Sequence, residues 1–188
     1  MPPRAKITKE MIVDAAFEVA RESGAEHINA RTISQKLGCS TQPVMWHFKT
    51  IAEIKKAVYG KADGFHTQYL LRIHSHNPMK DIGLNYIRFA AEEPQLFRFL
   101  FQSNFFTGKT LLELIDSEEL TPVLLAMQGT VGGSMEQVKE IFLTVFLFAH
   151  GYASIIANNS LVYDEELIRV HIERAYTGAV LAAQEKTK

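Results

Sequence analysis

Within the nine residues from 41 to 49 the chain gathers side chains suited to reading a nucleic acid: Thr41, Gln42, Pro43, Met45, Trp46, His47 and Lys49. The Gln42 amide can bond an adenine edge at two points, and Thr41, Pro43 and Met45 offer apolar atoms to a thymine methyl. Trp46 and His47 carry ring N–H groups and Lys49 a charge, all of which suit phosphate oxygens. Arg31, further upstream, is placed to reach a phosphate or a guanine. A short surface helix of a small domain ordinarily carries Lys and Glu, and the run from Thr41 to His47 has neither. The competing reading is that Trp46 and His47 pack inside a three-helix cluster.

These side chains need elements to hold them, and the sequence supplies helix signals on both sides. Ile12, Ala15, Ala16, Val19 and Ala20 recur at helical spacing, with Thr8 as an N-cap and Gly24 as a stop. Asn29 can cap a second, short helix with Ile33 and Leu37 on its apolar side and Gly38 at its end. Ser40 can cap a third, running to about His47. Pro43 falls in its first turn, where a missing N–H costs little. Val44 and Phe48, four residues apart, are expected to face inward. Two short helices meeting at Gly38-Cys39-Ser40 have the sequence form of a helix-turn-helix. Thr50 and Glu53 form a capping box that opens a long helix towards His74.

The rest also reads as helix: Met79 to Glu92, a helix opened by Pro94 through Phe101, a long apolar one from Met135 to Ala157, and one from Asp164 to Gln184. Breaks fall at Asn77-Pro78, at Gly108, over Gly129 to Gly133 and at Asn158-Asn159-Ser160. Sustained strand alternation and hairpin turns are missing. The expected fold is therefore all-α. A three-helix module over residues 1–50 is joined by a long helix to a helical body over residues 51–188.

Charge agrees with this division. The chain of 188 residues has a formal net charge of −1. Residues 1–61 hold ten Lys or Arg against six Asp or Glu, whereas residues 62–188 hold ten against fifteen. A basic first third on an acidic body is a plausible footprint for a polyanion. A single cysteine, Cys39, excludes an intrachain disulfide. No apolar run follows the short basic start, and the apolar stretch at Ile141 to Ala149 is short for a bilayer. These features point to a cytoplasmic chain with no membrane partner.

The stretch NARTISQKLGCSTQPVMWHFKTIAEI, Asn29 to Ile54, resembles the DNA-binding module of TetR-type transcription regulators. Those proteins begin with a helix ending in a glycine turn, as in DAAFEVARESGAEHI here. They continue with a helix like RTISQKLG, a small cap like Ser40 and an aromatic-rich end like VMWHFK. The resemblance covers about residues 7–60, and EEPQLFRFLF and FAHGYASIIANNSLVYDEELI also resemble bodies of this family. It implies contacts with double-stranded DNA from Arg31, Thr41, Gln42, Pro43, Trp46, His47 and Lys49. Two positions depart from the pattern. Met45 stands where the family usually has tyrosine, and Ile51 where a lysine usually meets phosphate. Each lost phosphate contact flattens the salt dependence of binding by roughly one unit of slope.

One recognition helix reads few bases, and helix-turn-helix proteins usually dimerise on paired half-sites. Leu143, Phe146, Leu147 and His150 form one stripe, and Ile168, Ile172, Ala175, Ala179 and Ala182 another. The resemblance implies that the two last helices pair with their copies, which makes Phe146, His150, Ile168, Ile172, Ala175 and Ala179 the expected homodimer surface. Aromatic residues are dense between Phe89 and Phe106. Such rings are usually core, but Phe89, Phe97, Phe101 and Phe105 with Met127, Phe146, Tyr152 and His150 could line an apolar cavity. Gln102 and Asn104 could add polar contacts. An apolar or amphipathic small molecule is the expected ligand.

No cofactor is implied. Gly129 to Gly133 lacks the lysine and hydroxyl of a phosphate loop, and neither a nucleophile elbow nor a His-Glu-x-x-His appears. His66, His74 and His76 have no carboxylate or cysteine at ligand spacing, so no metal site is expected. An enzyme is not the expected class. Two classes remain: a ligand-responsive repressor that binds a palindromic operator as a homodimer, and an all-helical small-molecule-binding or interaction protein without operator binding.

Overall fold

The computed structural model describes residues 7–75, 77–102, 108, 110–116, 118 and 120–185, and all regular structure among them is helical. The helices are α1 (Lys9–Ser23), α2 (Ala30–Leu37), α3 (Thr41–His47), α4 (Ile51–Leu70), α5 (Pro78–Glu92), α6 (Pro94–Phe101), α7 (Leu111–Ile115), α8 (Thr121–Val131), α9 (Met135–Asn159) and α10 (Glu165–Glu185). A 3-10 turn, Ala25–His27, follows α1.

Local chemistry accounts for most helix ends. The Thr8 hydroxyl accepts from the Met11 N–H at 3.2 Å, which satisfies one of the first-turn donors of α1. The Asn29 side chain accepts from the Arg31 and Thr32 N–H groups, both at 3.0 Å, and the Thr32 hydroxyl closes the box on the Asn29 N–H. Ser134 and Gln137 make the same reciprocal pair at the start of α9, as do Thr110 and Glu113 at the start of α7. Pro94 opens α6, where its missing donor is harmless. The long helix α4 stops at Leu70, short of the expected His74, and α8 continues through Gly129 to Val131.

The chain divides into two compact units: Met1–Gln68 with Glu93–Ser103, and Tyr69–Glu92 with Asn104–Lys188. The division therefore falls beyond residue 50. It passes through α4 and returns α6 to the first unit, where α6 packs on α1. The core of the first unit comes from Ile12, Ala16, Phe17, Ile33, Val44, Ile54, Val58, Leu96 and Phe97, all buried. Each such large side chain contributes about 1.5–3 kcal/mol by leaving water. Arg21 on α1 grips Glu93 at the start of α6: its Nε donates to Glu93 Oε2 at 2.8 Å, and its Nη2 donates to Oε1.

In the second unit α9 packs against α5, α8 and α10, and α10 also packs on α5. Met127, Val138, Ile141, Ala179 and Ala183 share a buried cluster there with Met79, Ile115 and Leu124. At Gly83 a Cβ would stand 3.2 Å from Ile172 Cδ1, so the missing side chain lets α5 and α10 close on each other. Among the described residues α9 is the one helix long and apolar enough to cross a membrane, and 28% of its most apolar window is buried within the protein.

Candidate nucleic-acid interface

The geometry of the site begins at the end of α2. Gly38 has φ 63° and ψ 32°, a left-handed conformation that costs a side-chain-bearing residue free energy. The Cys39 N–H reaches the Ser34 carbonyl at 3.0 Å, and the Gly38 N–H reaches that of Gln35 at 3.2 Å. This pair of reversed bonds is the Schellman ending, and it turns the chain sharply into α3. Ser40 stands at the N-cap of α3 with extended backbone, but its side chain makes no capping bond. Cys39 is half-buried in the turn.

Helix α3 has two distinct sides. Val44 and Phe48 are buried, as their spacing required, and they fix the helix to the core. Thr41, Gln42, Met45, Trp46 and His47 are exposed, Pro43 is half-buried, and Arg31 and Lys49 are exposed nearby in sequence. Trp46 is 85% exposed. Leaving an indole in water forgoes on the order of 3 kcal/mol of burial, so this ring is held ready for something other than the protein core. The reading in which Trp46 and His47 pack inside a three-helix cluster is overturned by this exposure.

Two details change the expected roles. His47 Nε2 lies 2.9 Å from the Ile7 carbonyl oxygen. That oxygen only accepts, so Nε2 carries the hydrogen of this bond and is engaged within the protein. Glu53, expected to return to its own N-cap, accepts from the Lys49 N–H at 2.9 Å, while the Thr50 hydroxyl accepts from the Glu53 N–H at 3.2 Å. The start of α4 is thus tied to the chain leaving α3. Ile51, the position that departs from the family pattern, is half-buried.

The chain is similar to known proteins. Over 73 residues the chain is 30% identical to the tetracycline repressor protein class D of Escherichia coli and, to the same extent, to class H of Photobacterium damsela subsp. piscicida. The match takes in 39% of this chain and spans only 30% of the length of each of those relatives. A solved structure of a TetR family member from Streptomyces coelicolor A3 superposes with a TM-score of 0.54 at 18% identity, over 89% of this chain and 96% of that one. Over that 73-residue stretch of sequence, and in fold, the chain is similar to these proteins. No family model matches it.

The expected ligand residues are distributed over separate packing groups. Phe97 and Phe101 lie in the first unit with tilted rings whose centroids are 5.0 Å apart, and Phe101 meets the His66 ring edge-on at 5.1 Å. Burial lowers the His66 pKa to about 4, so the ring is neutral in the folded protein at pH 7. Phe89 and Met127 are fully buried in the second unit, Phe89 edge-on to Tyr69 at 5.3 Å. Phe146 and His150 do come together, around Tyr86. The Tyr86 hydroxyl is 2.9 Å from His150 Nδ1, and its ring lies 5.8 Å from that of Phe146. Burial pushes the Tyr86 phenol up and His150 down, so both favour their neutral forms and share this hydrogen bond. Gln102 is exposed at the end of α6, and Tyr152 packs near Phe148. Phe105 and Asn104 lie outside the described residues.

Two cavities open elsewhere in the second unit. One, of about 350 Å³, is lined by Ser75, Asn77, Lys80, Leu84, Arg169, Ile172 and Glu173. Another, of about 310 Å³, shares Ser75, Leu84 and Arg169 with it and adds His74, Asp81, Asn85, Arg88 and Glu165. None of the expected aromatic residues lines either one. Their walls come from the segment between α4 and α5, from α5 itself and from α10. Among the described residues no three metal-ligating side chains gather, and His76 lies outside them.

The residues expected at the dimer surface on α10 differ in burial. Ile168 is 0% exposed, Ile172 1% and Ala179 9%, each buried inside the protomer, and Ala175 is half-buried. Ile168 and Ile172 therefore leave almost no area for a second copy to cover, whereas Ala175 leaves some. Phe146 and His150 are half-buried around Tyr86. The apolar residues that α9 and α10 leave in solvent are Leu147, Ile155, Leu167, Val170 and Leu181.

Proposed function

We propose that the chain is a transcription regulator that binds double-stranded DNA through α3, as a homodimer on a palindromic operator, in the cytoplasm. The observation that carries this reading is the exposed side of α3, where Gln42, Met45 and Trp46 stand in solvent while Val44 and Phe48 anchor the helix from behind. Gln42 is the base reader and Thr41, Pro43 and Met45 the apolar contacts. Trp46, Lys49 and Arg31 serve the phosphates. The relatives named as repressors make negative control the working assumption.

The homodimer forms through α9 and α10 by way of Leu147, Ile155, Leu167, Val170 and Leu181. Leu167, Val170 and Leu181 lie three and eleven residues apart, which puts them along one side of α10. The small fraction of α9 buried within one protomer supports a second copy against it. An apolar or amphipathic molecule held around Tyr86, Phe146 and His150 would shift the operator affinity by binding two states of the body unequally.

Selection of duplex DNA from a random pool by the purified protein, followed by footprinting, tests the reading. A palindromic site protected in two halves is expected. Gln42→Ala then loses about 1–3 kcal/mol of discrimination at one base pair of each half. Failure to enrich any site at low salt, with small-molecule binding intact, would replace it with a binding protein that does not act on operators.

A further inference from the structure

Two helix sides face each other across the cavities of the second unit. On α5, Lys80, Leu84 and Arg88 follow at four-residue intervals, and on α10 Glu165, Arg169 and Glu173 do the same. That interval keeps each set on one side of its helix. Lys80 pairs with Glu173, and Arg88 Nη2 donates to Glu165 Oε2 at 2.5 Å. The two helices therefore run antiparallel, with an ion pair at either end of the trough between them. Arg169 stands between those ends, and among the described residues it is the one charged side chain that borders both cavities.

The carboxylates around Arg169 are already engaged. Glu165 is shared: Arg169 Nη2 donates to its Oε1 at 2.9 Å while Arg88 takes Oε2. Glu173 belongs to Lys80. Asp81 accepts the His74 and Ser75 N–H groups at 2.7 and 2.6 Å and the Ser75 hydroxyl at 2.9 Å. Two guanidinium groups thus divide one carboxylate, which leaves a surplus positive charge at Arg169. Its side chain is 56% exposed, and its Nε and Nη1 donate to no group among the described residues. An open guanidinium edge suits a two-point bond to a carboxylate. Apolar atoms lie beside it, because Leu84, Ile172 and the stems of Lys80 and Arg169 line the cavity of about 350 Å³. That volume is in the range of small-molecule sites. With about 100° of turn per residue, Arg169 and Ile172 lie across α10 from Leu167, Val170 and Leu181, so a second copy on the latter side leaves the cavity open.

We propose that Arg169 and the larger cavity form a binding site for a small organic acid, its carboxylate held by the Arg169 guanidinium and its short apolar body laid against Leu84 and Ile172. The site is separate from the one around Tyr86, Phe146 and His150, and it stands independently of the DNA-binding reading.

Hexanoate is the probe, titrated calorimetrically into the full chain, with acetate, 1-hexanol and hexylammonium for comparison. Saturable binding of hexanoate below about 10 mM is expected. Acetate should bind at least tenfold more weakly, since each CH₂ taken out of water tightens binding about fourfold. Hexanol, which lacks the charge, should also lose at least tenfold, and hexylammonium should not bind. Arg169→Gln, with its fold checked by circular dichroism, should weaken hexanoate at least tenfold. In the wild type, nuclear Overhauser effects from the hexanoate methyl to the Leu84 and Ile172 methyls are expected. Failure of hexanoate to saturate, equal affinity for hexanol, or unchanged affinity in Arg169→Gln would overturn the proposal. Overhauser contacts to Phe146 or Tyr86 in place of Leu84 and Ile172 would overturn it as well, by moving the acid to the other site. None of these results bears on whether α3 binds DNA.

Discussion

Arg21 and Glu93, seventy-two residues apart, meet as a two-point fork that holds α6 to α1, with Nε donating to Oε2 at 2.8 Å and Nη2 donating to Oε1. The Arg21 side chain is 40% exposed and that of Glu93 10%. The carboxylate is thus the partner with more to lose. The bond to Glu93 raises the Arg21 pKa, against a smaller opposing effect of burial.

Arg21→Ala strands a largely buried carboxylate. The cost lies between that of a surface pair and that of a buried one, about 2 kcal/mol. Urea unfolding at neutral pH measures it. Arg21→Lys keeps the charge but not the fork, and should recover less than half of the loss. A lysine variant as stable as the wild type would show that charge alone holds α6.

Gly38 offers a cleaner test of the turn into α3. A Cβ there meets nothing within 4 Å, so the cost of Gly38→Ala is that of the left-handed backbone alone, about 1–2 kcal/mol. Gly38→Asn should cost clearly less, because asparagine tolerates that conformation. Thermal unfolding of the three proteins decides the order, and equal loss in both variants would point to a side-chain clash.

The helix-turn-helix was legible because its determinants are local. Asn29, Gly38 and the Thr50–Glu53 pair act within a few residues of themselves, and Val44 and Phe48 announce the buried side by spacing. The packing of His47 and of the α10 stripe was not legible, for a common reason. Ile7 lies forty residues from His47, and nothing in the sequence shows that its carbonyl occupies the imidazole donor. On α10 the buried stripe was visible, but periodicity does not tell whether a stripe faces a neighbouring helix or a second chain. The close approach of Gly83 to Ile172 decided that, and it joins two helices far apart in sequence. Phe89 and Phe97 were ambiguous in the same way, since a ring that fills a core and a ring that lines a cavity have the same sequence signature.

His66 makes the first unit sensitive to acid. Its pKa falls from 6.5 to about 4 on folding because burial disfavours the charged ring. The folded protein therefore takes up its proton later than the unfolded chain. The stability this group provides is complete above pH 6.5 and is lost as the pH falls towards 4. Between pH 7 and pH 5 the loss should be about 2 kcal/mol. His66→Phe keeps a ring against Phe101 and cannot titrate, so its stability curve should be flatter over that interval by the same amount. Parallel curves for the two proteins in denaturant titrations at each pH would rule out His66 as the source.

The two sides of α10 make opposite predictions for association. Val170 and Leu181 are exposed at 43% and 56%, and on the proposed dimer surface they are covered by the second copy. Val170→Glu with Leu181→Glu places four carboxylates in that seam, which should raise the dissociation constant at least a hundredfold while leaving the helix content of the protomer intact. Ile172→Ala acts on the other side. It opens a cavity against Gly83 and should cost about 2–4 kcal/mol of stability. At concentrations well below the unfolding threshold its sedimentation should match the wild type. Sedimentation velocity across a range of concentrations separates the two effects. If the double glutamate variant sediments as the wild type does, α10 is not in the dimer seam; if Ile172→Ala alone dissociates the protein while remaining folded, the buried side of α10 reaches the partner after all.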